Sequence, residues 1–117
     1  EAFGKNPWYI APKFSDAKRE SSYHLFTMRI AGFKRAQRDD LMAHLKENGI
    51  ASNVHFMPLP LLTLHQNRGE DIADYPHSAM AFEELISLPL HLDMDFDDIH
   101  YIHAICAAYI DKALDNG

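Results

Sequence analysis

The best candidate for chemistry in this sequence is a histidine that follows a short alternating segment. Residues 50–56 alternate in character, which predicts a strand whose core-facing side chains are Ile50, Ser52, Val54 and Phe56. Asn53 and His55 then lie on the opposite face, and prolines at positions 58 and 60 end the strand because proline cannot donate to a sheet. A histidine above a loop is a common ligand contact, but a neighbouring carbonyl could equally satisfy it in a structural role. The residues alone leave both interpretations open.

Other reactive side chains have simpler structural explanations. His100 and His103 share a helical face, but no glutamate completes a helical zinc motif and the chain has a single cysteine, so we predict no metal site. Cys106 lies in an apolar helical pattern, which favours a buried, unreactive thiol. The sequence has no glycine-rich phosphate loop and no serine in a nucleophile-elbow setting. Capping and the helix dipole explain a cluster of carboxylates at Asp93, Asp95, Asp97 and Asp98.

A helix and its glycine stop position the candidate histidine. Apolar residues at helical spacing predict a helix over residues 37–48. Gly49 can adopt the left-handed conformation that closes a helix at little steric cost. With Asn48 as the C-cap, Leu45 and Ile50 are the pair that a Schellman motif brings into contact.

The remaining elements follow from periodicity and from capping signals. Alternation over residues 22–30 predicts the first strand, and a proline followed by apolar residues at helical spacing predicts a second helix after Tyr75-Pro76. Residues 59–75 predict a short helical turn and an exposed loop, and residues 87–91 predict an edge strand or an extended segment. Asp95 as N-cap and Asp98 at N3 start the last helix. A Met94–Ile99 staple accompanies that start, and the predicted buried face is Ile99, Ile102, Cys106, Tyr109, Ile110 and Ala113. Together these elements indicate an α+β domain.

Composition limits the class of protein. A chain of 117 residues forms one domain that can bury a core without disulfides. Its net charge of −6 argues against nucleic-acid binding. No apolar segment approaches the ~20 residues of a membrane span, and no secretory leader is present. A cytoplasmic protein is therefore expected.

The first twenty residues carry prolines and scattered charge without a sustained period, so we expect an extended lead-in over residues 1–20 and a domain over residues 21–117. Because the sequence opens at Glu1 without an initiator methionine, we interpret the chain as a fragment of a longer polypeptide. The large apolar side chains of the lead-in pack either on the domain's own sheet or against an absent partner domain: Trp8, Tyr9, Ile10 and Phe14.

Five segments occur in an order that resembles one protein family. They are residues 21–26, 38–41, 49–58, 75–76 and 88–91. Together they resemble the C-terminal domain of the DegT/DnrJ/StrS family, pyridoxal-phosphate-dependent aminotransferases that act on nucleotide-linked keto-sugars. The resemblance covers residues 23–114 and rests on the order and spacing of the segments rather than on any one of them.

The resemblance implies the small C-terminal α+β domain of the type I aminotransferase fold, with a short, mainly antiparallel sheet of about three strands and about three helices. In that family a large domain holds pyridoxal phosphate and the lysine that binds it. We therefore expect this chain to contain no catalytic and no cofactor-binding residue, to be inactive alone, and to begin with a lead-in from that absent large domain.

By the same resemblance, His55 lies on the substrate side of the cleft, with Phe56 and Asn53 beside it. Many members carry a second histidine two residues after the motif's proline, where this chain has Pro60, so that contact is not carried over. The implied reaction transfers an amino group from glutamate to a nucleotide-linked keto-sugar, and a homodimer is implied. The alternative is a non-catalytic α+β module that binds a small ligand or a protein, including a regulatory use of the fold.

Overall fold

The computed structural model describes residues 2–115, which form an α+β fold, as predicted. The described residues form four α-helices: α1 (Arg35–Glu47), α2 (Thr63–Gln66), α3 (Pro76–Glu84) and α4 (Phe96–Asp115). They also form five strands: β1 (Tyr9–Ile10), β2 (Ser15–Asp16), β3 (Arg19–Glu20), β4 (Phe26–Ile30) and β5 (Leu85–Leu88). Short 3-10 turns lie at Phe3–Lys5, Leu59–Leu61 and Ile72–Asp74.

The main sheet is antiparallel, with strand order β1-β4-β5, and β2 pairs with β3 in a separate hairpin. Met28 on β4 pairs with Ile86 on β5, so the two side chains share a face of the sheet. Thr27 pairs with Ser87, and both lie on the opposite face. The Met28 face packs on α1 and α4, and the buried helix residues that complete this core are Leu41, Leu45, Ile102, Cys106 and Ile110.

The end of α1 confirms the predicted glycine stop. Asn48 is the C-cap and Gly49 has φ +74°. The amide of Gly49 donates to the carbonyl of Lys46 at 3.1 Å, and the amide of Ile50 donates to that of Leu45 at 2.9 Å. These two bonds define a Schellman motif, which sets the direction in which the chain leaves the helix toward His55.

Replacing Gly49 with alanine should lower the free energy of unfolding by about 1 kcal/mol, because an L side chain is strained at positive φ. Equilibrium urea unfolding measures the loss. Gly4→Ala is a matched control, since an added Cβ meets open space at both glycines but only Gly49 has a positive φ. Equal stability of the two variants would contradict the prediction.

The start of α4 also follows the sequence. The Asp95 carboxylate accepts from the amide of Asp98 at 2.9 Å, and the Asp98 carboxylate accepts from the amide of Asp95 at 3.1 Å. Cys106 is fully buried, and desolvation raises the pKa of its thiol to about 12, as expected for an unreactive core cysteine. Ile99 departs from the prediction, because it is 37% exposed in the wall of an open groove.

The first residues are more structured than the loop-like lead-in that the sequence predicted. Tyr9–Ile10 form the edge strand β1, paired with β4, a segment too short to show a period. Trp8 is 3% exposed in the core, and its indole N–H donates to the Asp111 carboxylate at 2.7 Å. His103 and Asn6 form a second link to α4, at 2.8 Å. The sequence left two alternatives for the large side chains of this segment, and Trp8 follows the first, because it packs in the chain's own core.

The prediction of a second strand over residues 50–56 is wrong, because only Asn53 pairs, in a single antiparallel bridge to Ser87. In this register the next hydrogen-bonded positions on the β5 side would be Pro89 and Leu85. Proline has no N–H to give. The amide of Leu85 already caps α3, and its carbonyl accepts from Arg38 at 3.1 Å. Backbone pairing therefore stops on both sides of Asn53.

The other predicted elements are largely confirmed, with shifted ends. Helix α1 begins at Arg35, two residues before the predicted start, and β4 begins at Phe26 rather than at residue 22, since Tyr23 has φ +54° and interrupts the extended chain. Helix α3 starts at Pro76, as predicted, and β5 is an edge strand of the main sheet. Residues 59–75 consist of turns and the short α2. Within residues 2–115, no helix is both long and apolar enough to cross a membrane.

Candidate functional site

The structure brings the three predicted site residues together beside β5. Two backbone hydrogen bonds join Asn53 and Ser87: Asn53 donates at 3.0 Å and Ser87 donates in return at 2.7 Å. The Nδ1 atom of His55 lies 2.8 Å from the Ser87 hydroxyl. The ring of Phe56 meets the His55 ring edge-on, with 4.8 Å between centroids, across a cis peptide bond. Asn53, His55 and Phe56 thus form one cluster, which we call the His55 cluster.

His55 has one engaged and one open ring nitrogen. The imidazole is half-buried, and its Nδ1 contacts Ser87. Among the described residues Nε2 has no partner, so this atom is available to a ligand. The structural interpretation from the sequence named a backbone carbonyl as the partner of His55, but the observed partner is the Ser87 hydroxyl. This contact uses Nδ1 and leaves Nε2 without a partner among the described residues.

Phe56 corrects the sequence prediction, because it does not face the core. Its side chain is 78% exposed, since the chain leaves the sheet after the single bridge at Asn53. Exposed apolar side chains continue along the following loop, and we call this set the apolar rim: Phe56, Met57, Leu59, Leu62 and Leu64. Several exposed apolar side chains in one segment are typical of a surface that another molecule or domain covers.

A separate apolar groove of about 440 Å³ lies where the first residues meet the start of α4. Phe3, Tyr9, Phe14, Leu90 and Met94 are among the residues of its wall, which does not include the His55 cluster. Its lining holds no group of acids, bases and nucleophiles placed to act together. The groove is therefore a less suitable reaction site than the His55 cluster.

Of the two histidines on the helical face of α4, His103 has a structural explanation and His100 is exposed. His103 bonds to Asn6 and meets the ring of Phe3 edge-on at 4.9 Å, so it holds the first residues against α4. Burial, with a smaller effect of the neighbouring His100, lowers the pKa of His103. Residues 2–115 contain no group of three or more His, Cys, Asp or Glu side chains placed to hold a metal ion.

Ser87 is the site residue that sequence reasoning missed. It is 4% exposed and touches the cluster through both its backbone and its side chain. The signal was present, because Ser87 is the only polar residue within Leu85–Leu88. A polar side chain that alternation places on the face shared with Asn53 needs a partner, and His55 is that partner.

A comparison with known families decides what kind of protein carries this cluster. The model of the DegT/DnrJ/EryC1/StrS aminotransferase family matches residues 1–106. The chain belongs to this family. The match confirms the resemblance that the sequence segments indicated, and it includes the whole His55 cluster and Ser87.

Individual proteins of other organisms resemble the chain along most of its length. The spore coat polysaccharide biosynthesis protein SpsC of Bacillus subtilis is 31% identical over 101 residues, which are 84% of this chain and 26% of SpsC. A protein of Geobacillus stearothermophilus named pleiotropic regulatory protein is 31% identical over 94 residues, which are 80% of this chain and 24% of that protein.

The fold is found in a solved structure. Spr1654 of Streptococcus pneumoniae in its PMP form, described as a sugar aminotransferase, matches with a TM-score of 0.89 and 34% identity over 97% of this chain and 28% of that one. The predicted type I aminotransferase fold is thereby confirmed. The chain spans about a quarter of the length of the relatives it matches.

Proposed function

We propose that the chain is the substrate-covering domain of a pyridoxal-phosphate-dependent enzyme that transfers an amino group from glutamate to a nucleotide-linked keto-sugar. Membership of the aminotransferase family supports this reaction class. The observation that carries the proposal is the open Nε2 of His55 beside the exposed ring of Phe56, on a surface rather than in an enclosed pocket. Such a surface suits one wall of a cleft whose other wall is a large domain of the same polypeptide. A cytoplasmic homodimer is part of the same proposal.

The lysines of this chain do not fit the cofactor. A lysine that forms a covalent bond with pyridoxal phosphate must lose its proton, which burial favours. All six lysines have exposed side chains: Lys5, Lys13, Lys18, Lys34, Lys46 and Lys112. This exposure supports a cofactor lysine in the large domain. The chain then contributes binding and orientation of the substrate.

Each residue of the His55 cluster has a group to offer the sugar nucleotide. Nε2 of His55 can hydrogen-bond to a sugar oxygen, and the exposed ring of Phe56 can pack on a sugar or base ring. The side-chain oxygen of Asn53 accepts from the amide of Val54 at 2.7 Å, which leaves its NH₂ group for a ligand. Fixing the keto carbon in this way lowers the entropic part of the barrier to amino transfer.

The test is an amino-transfer assay on the whole protein with pyridoxal phosphate, glutamate and a panel of nucleotide-linked 4-keto and 3-keto sugars. We expect 2-oxoglutarate to form with at least one sugar. The 117-residue chain alone is the control and should form none. Turnover by the chain alone, or none by the whole protein across the panel, would contradict the proposal.

A second candidate is a regulatory protein that binds a sugar nucleotide without turning it over. One relative, 31% identical, is named a pleiotropic regulatory protein, which favours this alternative. The same assay separates the two functions when it is combined with calorimetry. A regulator would bind the sugar nucleotide and form no 2-oxoglutarate, whereas the enzyme would do both.

A further inference from the structure

Ser87 is placed to control the one imidazole of the His55 cluster. Its side chain is 4% exposed, and its hydroxyl lies 2.8 Å from Nδ1 of His55. Its backbone independently holds Asn53 through two hydrogen bonds. The side-chain contact and the backbone contacts can therefore be separated by mutation, since a substitution at Ser87 changes only the former.

The hydroxyl of Ser87 can donate or accept, and burial decides between the two. His55 is its hydrogen-bond partner in the described structure, and every buried side-chain nitrogen or oxygen there has a partner. If Nδ1–H of His55 donated to Ser87, the hydroxyl proton would be buried without an acceptor, at a cost of about 1–3 kcal/mol. If the hydroxyl donates to Nδ1, both groups are satisfied. The neutral imidazole then carries its proton on Nε2.

We propose that Ser87 is a positioning residue that fixes His55 as the Nε2–H tautomer. A donor at Nε2 is suited to an acceptor oxygen of the substrate, such as a keto or ring oxygen, rather than to a hydroxyl proton. The substrate part of this inference rests on the function proposed above, whereas the tautomer part rests on the Ser87 contact alone.

The tautomer can be measured directly in the full-length protein labelled with ¹⁵N-histidine, with His55→Gln to assign the signals. The expected spectrum, recorded at a pH at which the imidazole is neutral, has a protonated Nε2 and an unprotonated Nδ1 at His55. Ser87→Ala should replace this state with a mixture of tautomers, and Ser87→Thr, which keeps the hydroxyl, should restore it. A protonated Nδ1 in the unmodified protein, or an unchanged spectrum in Ser87→Ala, would overturn the proposal.

Kinetics connect the tautomer to the substrate. Ser87→Ala should lower kcat/KM for the nucleotide sugar about tenfold, the size expected for one hydrogen bond. In a His55→Ala background the same change should have no further effect, because the two residues act as a unit. If Ser87→Ala gave a mixture of tautomers but kept its kcat/KM, Ser87 would still fix the His55 tautomer, whereas the proposed role of that tautomer toward the substrate would be overturned. Failure of the tautomer proposal and failure of the substrate proposal are therefore distinguishable.

Discussion

Replacing Arg38 with methionine should lower the free energy of unfolding by about 3 kcal/mol, and urea or thermal unfolding measures the change. Arg38 lies on α1 and is 2% exposed, although it carries a full positive charge. A buried charge without partners would be prohibitive, so the contacts of this guanidinium decide its effect.

Those contacts join α1 to the end of α3 and the first residue of β5. Nη1 of Arg38 donates to the carbonyls of Phe82 at 2.8 Å and Leu85 at 3.1 Å, and Nε donates to Asp39 at 2.6 Å. The guanidinium also lies 4.9 Å from the centroid of the Phe82 ring. Methionine fills much of the same volume but leaves both carbonyls without this donor, at a cost of about 1–3 kcal/mol for each one that water does not reach.

Arg35→Met is the matched control, because Arg35 lies on the same helix, near the same ring. Its guanidinium is 5.4 Å from the Phe82 centroid, and its Nε is 3.6 Å from the Asp39 carboxylate. The side chain is 55% exposed, so solvent screens both contacts and the loss should stay below about 1 kcal/mol. Similar losses in the two variants would show that the buried carbonyl contacts add little stability.

The same arginine explains why part of the site could not be predicted from the sequence. Alternation over residues 50–56 predicted a strand, because the local pattern of these residues is typical of one. The carbonyl of Leu85 that would extend the pairing is already bound to Arg38, 47 residues away in sequence. No local signal reveals a contact of that range, so the early end of the pairing and the exposure of Phe56 were both missed.

The features that sequence did predict are those determined within a few residues. The Schellman motif at Gly49 needs only a glycine and the last turn of α1, and the cap of α4 needs only Asp95 and Asp98. Alternation from Ile50 predicted that Asn53 and His55 share a face, and both contact Ser87 although backbone pairing stops at Asn53. The partner of His55 was not predicted, since Ser87 lies 32 residues further along the chain.

His55→Ala in the whole protein should lower kcat/KM for the nucleotide sugar by about 10- to 100-fold, as expected for loss of a hydrogen bond to a polar or charged group of the substrate. The free energy of unfolding should fall by about 1 kcal/mol, the lower end of the cost of an unpaired Ser87 hydroxyl, because water can replace the half-buried ring. Steady-state kinetics and thermal unfolding of the same preparation give both quantities.

The comparison with His44→Ala decides whether the effect of His55→Ala on activity is specific. His44 is also half-buried, but it lies on α1, outside the His55 cluster. Its ring stacks on Tyr109 of α4, with 5.0 Å between ring centroids. Its removal should cost a similar amount of stability and leave kcat/KM unaltered. If His55→Ala instead kept full activity and showed a large drop in Tm, His55 would be a structural residue. The proposed cleft wall of this domain would then consist of the apolar rim alone.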